Sequence, residues 1–300
     1  MIKSQSVVFF LGAGFSAPFG LPVMSNFIDK ARDLYFSDPD NYKSVGETLK
    51  LITKYSSVKN YLNINLHNIE DLLSIAYMES AITKESSSME LVTDFIKVVI
   101  ENYTGQVTNE SRDFAELVAN VSLKKTGSSA SYRVQGRDHY AFLCDGKRFE
   151  NTGFGIVSLN YDLVIEKALA DIASTAGKFY EITNRPNEIA KYFAASNVRS
   201  ETGVPMAKLH GSLDKTIIPP TWNKDVNEKI YNDWILASEL LKNATHIIFL
   251  GYSLPSTDNY IKYLLATSLS DNQRLKRISV ITKDADGQTG IRYKSLFDSY

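Results

Sequence analysis

Cys144 is the only thiol in this chain of 300 residues. No intramolecular disulfide can form, and a zinc site built from several cysteines is excluded. So little cysteine suits a reducing compartment, and we expect the cytoplasm. Charge of one sign is also missing. Lys and Arg number 33 against 34 Asp and Glu, a formal net charge of -1. No global basic excess points to nucleic acid. Nor is there an apolar stretch long enough to span a bilayer. The run in "MIKSQSVVFF" is too brief, and it reads as a first strand rather than a signal peptide. No membrane association is expected. Hydrophobic residues make up 44% and charged residues 22% of the chain, so ample material remains for a globular core.

Four short apolar runs rich in Val, Ile and Phe read as buried parallel strands: Ser6 to Leu11, Gly153 to Leu159, His246 to Gly251 and Arg277 to Thr282. Helical patterns follow the second and third, in "LVIEKALADIA" and "TDNYIKYLLATSL". Strands alternating with helices imply an α/β class, a Rossmann-like, doubly wound parallel sheet. From residue 41 to 125 the texture is helical, with apolar residues at 3–4 spacing in "NIEDLLSIAYMES" and "ELVTDFIKVVIENY". We therefore expect a discontinuous α/β domain, residues 1–40 and 151–300, interrupted by a mainly helical subdomain at 41–150. Its polar end, residues 124–152, reads as a long loop or a small hairpin. Arg133, Arg137 and Arg148 would make it a lid that meets phosphates, or it is a solvated surface element. Residues 185–204 read as loop. The last strand lies close to the chain end, so the 300 residues are either a compact single-domain protein or one domain of a longer polypeptide.

Several loops after strands carry polar residues suited to chemistry. In "FFLGAGFSAPFG" a strand runs into Gly12-Ala13-Gly14. There exposed N–H groups, with the Ser16 hydroxyl, could hold a diphosphate; a plain glycine turn is the alternative. The third glycine of a dehydrogenase fingerprint is absent, because Ala17 stands in its place. In "VSLNYDLVIEKAL", Asn160 and Asp162 lie where a strand becomes a helix; Asp162 caps that helix or serves a ligand. In "MAKLHGSLDK", His210 precedes Gly211. It is either a structural histidine or a base, and the glycine would let a substrate approach the ring. In "HIIFLGYSLPSTDNY", Gly251 and Ser253 form a strand-end loop suited to ribose or phosphate. Ser256 or Thr257 is expected to cap the next helix, with Asp258 in its first turn.

The order of these motifs resembles the sirtuin (Sir2) superfamily. "GAGFS" matches its phosphate loop, "GLPVM" its Gly-Ile-Pro segment, "SLNYD" its Thr-Gln-Asn-Ile-Asp stretch, "LHGS" its catalytic His-Gly and "GYSL" its Gly-Thr-Ser-Leu loop. The resemblance implies NAD as substrate. Gly12, Ala13, Gly14, Ser16, Ser158, Gly251 and Ser253 would bind it, with Ser253 on the adenosine-side ribose. Asn160, Asp162 and His210 would be catalytic. Asp162 would accept from the nicotinamide amide, Asn160 would order water and ribose, and His210 would be the base.

Deacylating sirtuins carry a zinc module with two Cys-x-x-Cys pairs after the catalytic histidine. Here no cysteine follows Cys144, no metal is expected, and an extended piece and a helix fill the interval from His210 to Gly251. This pattern resembles the zinc-less Sir2-like NADases of bacterial anti-phage defence, which hydrolyse NAD to nicotinamide and ADP-ribose. Constant destruction of an abundant metabolite would be toxic, so we expect a gated effector, held in check as a homo-oligomer or by a partner protein. A non-enzymatic sensor of NAD or an ADP-ribose derivative is the rival reading. Protein deacylation is the other, opposed by the missing zinc ligands.

Overall fold

The computed structural model of the chain describes residues 6–56, 65–104, 129–134, 137–142, 154–171, 195–196, 204–215, 217, 228–256 and 258–297. It opens with strand β1 (Val7–Leu11), the one-turn helix α1 (Ala13–Ser16) and a 3-10 turn at Ala17–Phe19. Four helices follow: α2 (Phe27–Ser37), α3 (Lys43–Ser56), α4 (Ile69–Thr83) and α5 (Ser87–Tyr103). Strands β2 (Ser129–Val134) and β3 (Arg137–Phe142) pair antiparallel. The polar segment thus contains a hairpin; Arg148 lies outside the described residues. Next come β4 (Phe154–Ser158), helix α6 (164–171), β5 (Ala195–Ser196) and β6 (Val204–Lys208). Apart from β5 and residue 204, the expected loop at 185–204 lies outside the described residues. Helix α7 (Glu228–Asn243), β7 (His246–Leu250), α8 (Asn259–Ser270), β8 (Arg277–Ile281) and α9 (Gln288–Phe297) complete the order.

Strands β5-β6-β4-β1-β7-β8 lie side by side in that order, and every pairing is parallel. The chain fills one flank of β1 first, with β4 and β6. It then crosses over to add β7 and β8 on the other flank. The topological switch therefore falls between β1 and β7, and a crevice at the carboxyl ends of these strands is where an open α/β sheet binds ligands. Val8, Phe10, Val157, Ala207, Ile247 and Phe249 project from the sheet into one apolar cluster with Leu236, Leu240 and Leu241 of α7 and Ile261 and Leu265 of α8. Phe9, Leu11, Ile156 and Met206 are buried as well. A sheet apolar on both faces explains the near-continuous apolar runs of β1 and β4.

Two strands differ from expectation. β6 is buried at all five positions, although Pro205 and Lys208 interrupt its apolar pattern. β8 is not a buried strand. Among the described residues it lies at the sheet edge, paired with β7 alone, with Ile281 60% exposed. Its pattern reads as a core strand because an edge strand keeps the same β-branched composition.

The helical block has its own core, built from Phe27, Leu72, Leu73, Phe95, Ile96 and Val99. By packing it includes α2 as well as α3 to α5. The same cluster takes in Leu21, Val164 and Ile217, and against it pack Phe15, Phe19, Tyr161 and Leu213 from the strand-exit loops. The block thus backs onto the carboxyl end of the sheet. Asn68 starts α4 by accepting the Glu70 N–H at 2.8 Å, and Glu70 and Asp71 favour the helix dipole in the first turn.

One carboxylate joins three of these helices. Glu79 of α4 accepts from Ser88 Oγ of α5 at 2.7 Å, from the Tyr55 hydroxyl of α3 and from Lys54 Nζ of α3 at 3.0 Å. These bonds, led by Ser88, lower its pKa from 4.5 to about 2. A lowered carboxylate pKa contributes stability that is complete above the unfolded-state value and is lost as pH falls through the folded one. Glu79→Gln should therefore loosen α3 to α5 at pH 7. The difference from wild type should shrink as pH drops from 4.5 toward about 2. Amide exchange of these helices at pH 7 and at about pH 3 measures it.

Candidate functional site

The loops leaving β1 and β7 are packed backbone against backbone. Gly12 N donates to Leu250 O at 3.0 Å, and Gly14 N donates to Gly251 O at 2.9 Å. A Cβ on Gly12 would lie 2.7 Å from the Gly251 oxygen, and one on Gly251 would lie 2.0 Å from Phe15 N. Gly251 also has φ +62, the left-handed region that side chains avoid. The structure shows where two amides of the glycine loop are used. Both glycine amides are engaged in this joint rather than turned out toward an anion, and α1 is a single turn with little dipole to offer. Ala13 and Gly14 remain exposed on the outer side of this joint.

Next to this joint, residues from two distant stretches meet. Asn160 Nδ2 donates to Gly12 O at 3.0 Å and to Ser16 Oγ at 2.9 Å. Ser16 Oγ in turn donates to Asp162 Oδ2 at 2.6 Å. A carbonyl can only accept, so the contact with Gly12 fixes the amide with its NH2 inward. Both amide hydrogens are then engaged, and the Asn160 carbonyl oxygen is the part able to order a water or hydroxyl. Ser158 Oγ accepts the Asn160 N–H at 3.1 Å, which sets the turn after β4. Asp162 Oδ1 accepts the Val164 N–H at 3.1 Å, so the carboxylate caps α6 as well as holding Ser16. Ser16, Ser158, Asn160 and Asp162 are all buried. Burying polar groups is costly unless they are bonded, and this chain of bonds satisfies these four while tying the strand ends together.

His210 is buried on a tight turn after β6, closed by Gly211 N donating to Lys208 O at 3.2 Å, with Gly211 at φ 80. Its ring centroid lies 6.2 Å from that of Tyr161, which sits between Asn160 and Asp162 in sequence. Burial raises the Tyr161 phenol well above its ordinary value, so it stays protonated. Leu213 N donates to Tyr161 O at 3.0 Å, Leu209 N to Ser158 O at 3.0 Å and Leu159 N to Leu11 O at 3.0 Å. The exits of β1, β4 and β6 are thereby laced together.

On the β7 side the loop is less involved. Ser253 is exposed; its carbonyl accepts from Arg292 Nε at 2.9 Å. Among the described residues no hydrogen bond joins Ser253 to the Asn160 chain. Asp258 is itself the N-cap residue of α8 rather than a first-turn acid, and its carboxylate accepts the Tyr252 hydroxyl at 2.8 Å. Thr257, one of the expected caps, lies outside the described residues.

Two site residues escape a reading of motifs. Ser212 is 2% exposed, and its hydroxyl finds no hydrogen-bond partner among the described residues. Lys208 is buried, with its ammonium bonded to Asp162 O and to Glu166 Oε1 at 2.7 Å. The signal for Lys208 was present: a lysine inside an apolar strand, two residues before the histidine.

Among the described residues, no group of three or more His, Cys, Asp or Glu could hold a metal, and no helix is long and apolar enough to cross a membrane. Residues 155–299 match the family model described as a SIR2-like domain. No curated protein matches the chain. The matched region spans β4 to α9 and contains Ser158, Asn160, Asp162, His210, Gly251 and Ser253, whereas the Gly12–Ser16 loop precedes it.

The glycine joint yields a direct test. Gly251→Ala should cost about 3 kcal/mol or more, since a left-handed residue also meets backbone atoms. Gly287→Ala has a similar φ of +70 but open space around it. It should cost only about 1 kcal/mol. Urea unfolding of the two variants should separate them by that margin.

Proposed function

We propose that this chain, which belongs to the Sir2-like superfamily through residues 155–299, hydrolyses NAD+ to nicotinamide and ADP-ribose. The observation that carries the reading is the meeting of Ser16, Asn160 and Asp162 in one buried hydrogen-bonded chain beside the His210 turn. Sir2-like proteins act on NAD, and this buried chain of polar residues supports placing that chemistry here. The N-glycosidic bond of NAD+ has a neutral leaving group, so the protein's task is to support an oxocarbenium-like ribose and supply a water. In this reading the Asn160 carbonyl orders the water and His210 takes its proton, or that of a ribose hydroxyl. Asp162 accepts from the nicotinamide amide through lone pairs not engaged by Ser16 and Val164. In this reading the diphosphate and the second ribose would lie against the exposed Ala13–Gly14 and Ser253 edges.

Hydrolysis is favoured over deacylation because the cysteines of a zinc module are missing from the sequence. The wider role we propose is that of a gated effector of bacterial anti-phage defence, acting by NAD depletion. Destroying an abundant metabolite requires restraint, and assembly into a homo-oligomer or a partner protein would provide it.

Purified chain, alone and with the products of neighbouring genes, should release nicotinamide and ADP-ribose from NAD+ without needing an acyl-lysine peptide. His210→Ala should lower turnover about 10²–10⁴-fold, the range for losing a general base. Asn160→Ala should abolish it while the protein still folds. Wild-type turnover in both variants would refute the assignment, and tight NAD binding without turnover in any assembly would favour a sensor.

A further inference from the structure

We infer that Lys208 is a positioning residue that sets the spacing between the two halves of the site: the turn carrying His210 and the turn carrying Asn160 and Asp162. The inference rests on the NAD reading for what is aligned and for its kinetic test; the tie itself is read from the contacts. Four contacts converge on this one residue. Its carbonyl accepts Gly211 N–H and so closes the turn that presents His210. Its own N–H donates to the Asp233 carboxylate of α7 at 3.0 Å. Its ammonium reaches across to the carbonyl of Asp162 and, at 2.7 Å, to Glu166 one turn into α6. The main chain thus belongs to the histidine turn, and the side chain to the aspartate turn.

The cost of such a placement argues that the geometry matters. The Lys208 side chain is only 10% exposed, against 25% for Glu166. An ammonium taken out of water loses hydration that a single partner repays poorly. Apolar residues of similar volume often do as well or better for stability alone. Asp233, also buried, has its pKa raised by that burial, while the Lys208 N–H and the nearby lysine charges favour its charged form. A lysine here is better explained by what it aligns. A nucleophilic water held by Asn160 and a base on His210 must meet within hydrogen-bond reach. Misplacement by about 1 Å can cost on the order of 100-fold in rate.

Two variants separate alignment from stability. Lys208→Met removes the tie and leaves Glu166 partly solvated. Lys208→Met combined with Glu166→Gln removes both charges, and it should unfold at the same temperature as wild type. In both, the kcat for NAD+ cleavage should fall about 10- to 100-fold with KM nearly unchanged. In both, the amide of Leu213, bonded across this junction to Tyr161 O, and that of Val164, held by the Asp162 carboxylate within its own turn, should exchange faster while β1 and β4 stay protected. Wild-type kcat in the double variant would overturn the inference. If wild-type protein does not cleave NAD+, the functional reading falls separately, and the exchange of Val164 and Leu213 decides: faster exchange sustains the tie, and unchanged exchange overturns it.

Discussion

Two stretches of main chain touch at the ends of β1 and β7, and every other feature of the site is arranged around that contact. It exists because Gly12, Gly14 and Gly251 present no side chains to one another. The contact closes the switch point of the sheet, where strand ends would otherwise diverge. Once closed, it fixes the Gly12 carbonyl as the acceptor that orients Asn160. The glycine loop is thus a structural joint whose outer rim, Ala13 and Gly14, faces solvent. In the usual picture of such loops the glycines face the phosphate directly. In this chain they first hold two strands together.

From that joint the polar groups form a directed chain, from Asn160 to Ser16 to Asp162 to the first turn of α6. Each member both positions a neighbour and keeps one group in reserve. Asn160 keeps its carbonyl oxygen, and Asp162 keeps unshared lone pairs. Capping and ligand binding by Asp162 are therefore compatible, since a carboxylate accepts several bonds at once. Lys208 adds the lateral link to the histidine turn. The helical block closes the arrangement from behind, with Tyr161 and Leu213 packed against its core.

The strands β1, β4 and β7 were legible because strands flanked on both sides in a parallel sheet need apolar residues almost throughout. β6 was harder: Lys208 and Pro205 break the run, and only its neighbours reveal that it is buried. β8 misled in the opposite direction, as apolar composition carries no mark of lying at an edge. Among the site residues, Asn160, Asp162, His210 and Ser16 could be singled out by type and place after a strand. Their mutual bonds could not, since Ser16 and Asp162 are 146 positions apart. The fate of the Gly12 and Gly14 amides was likewise invisible, because it depends on a loop that follows a strand more than two hundred residues later. Ser212 lacked any local signal, its hydroxyl being notable only once its burial is known.

The placement of the helical block has a consequence for how the molecule comes into being. β1 is synthesised first, yet its two sheet neighbours are β4 and β7. On the ribosome the helices α2 to α5, whose contacts are mostly local, can fold while β1 still waits for partners. The glycine joint forms only when residues 250 and 251 have emerged, near the end of these 300 residues. A growing chain therefore carries Ser16, Asn160 and His210 without the framework that brings them into register. The order of the strands alone thus keeps these residues apart in the nascent protein until the last sheet neighbour of β1 has emerged.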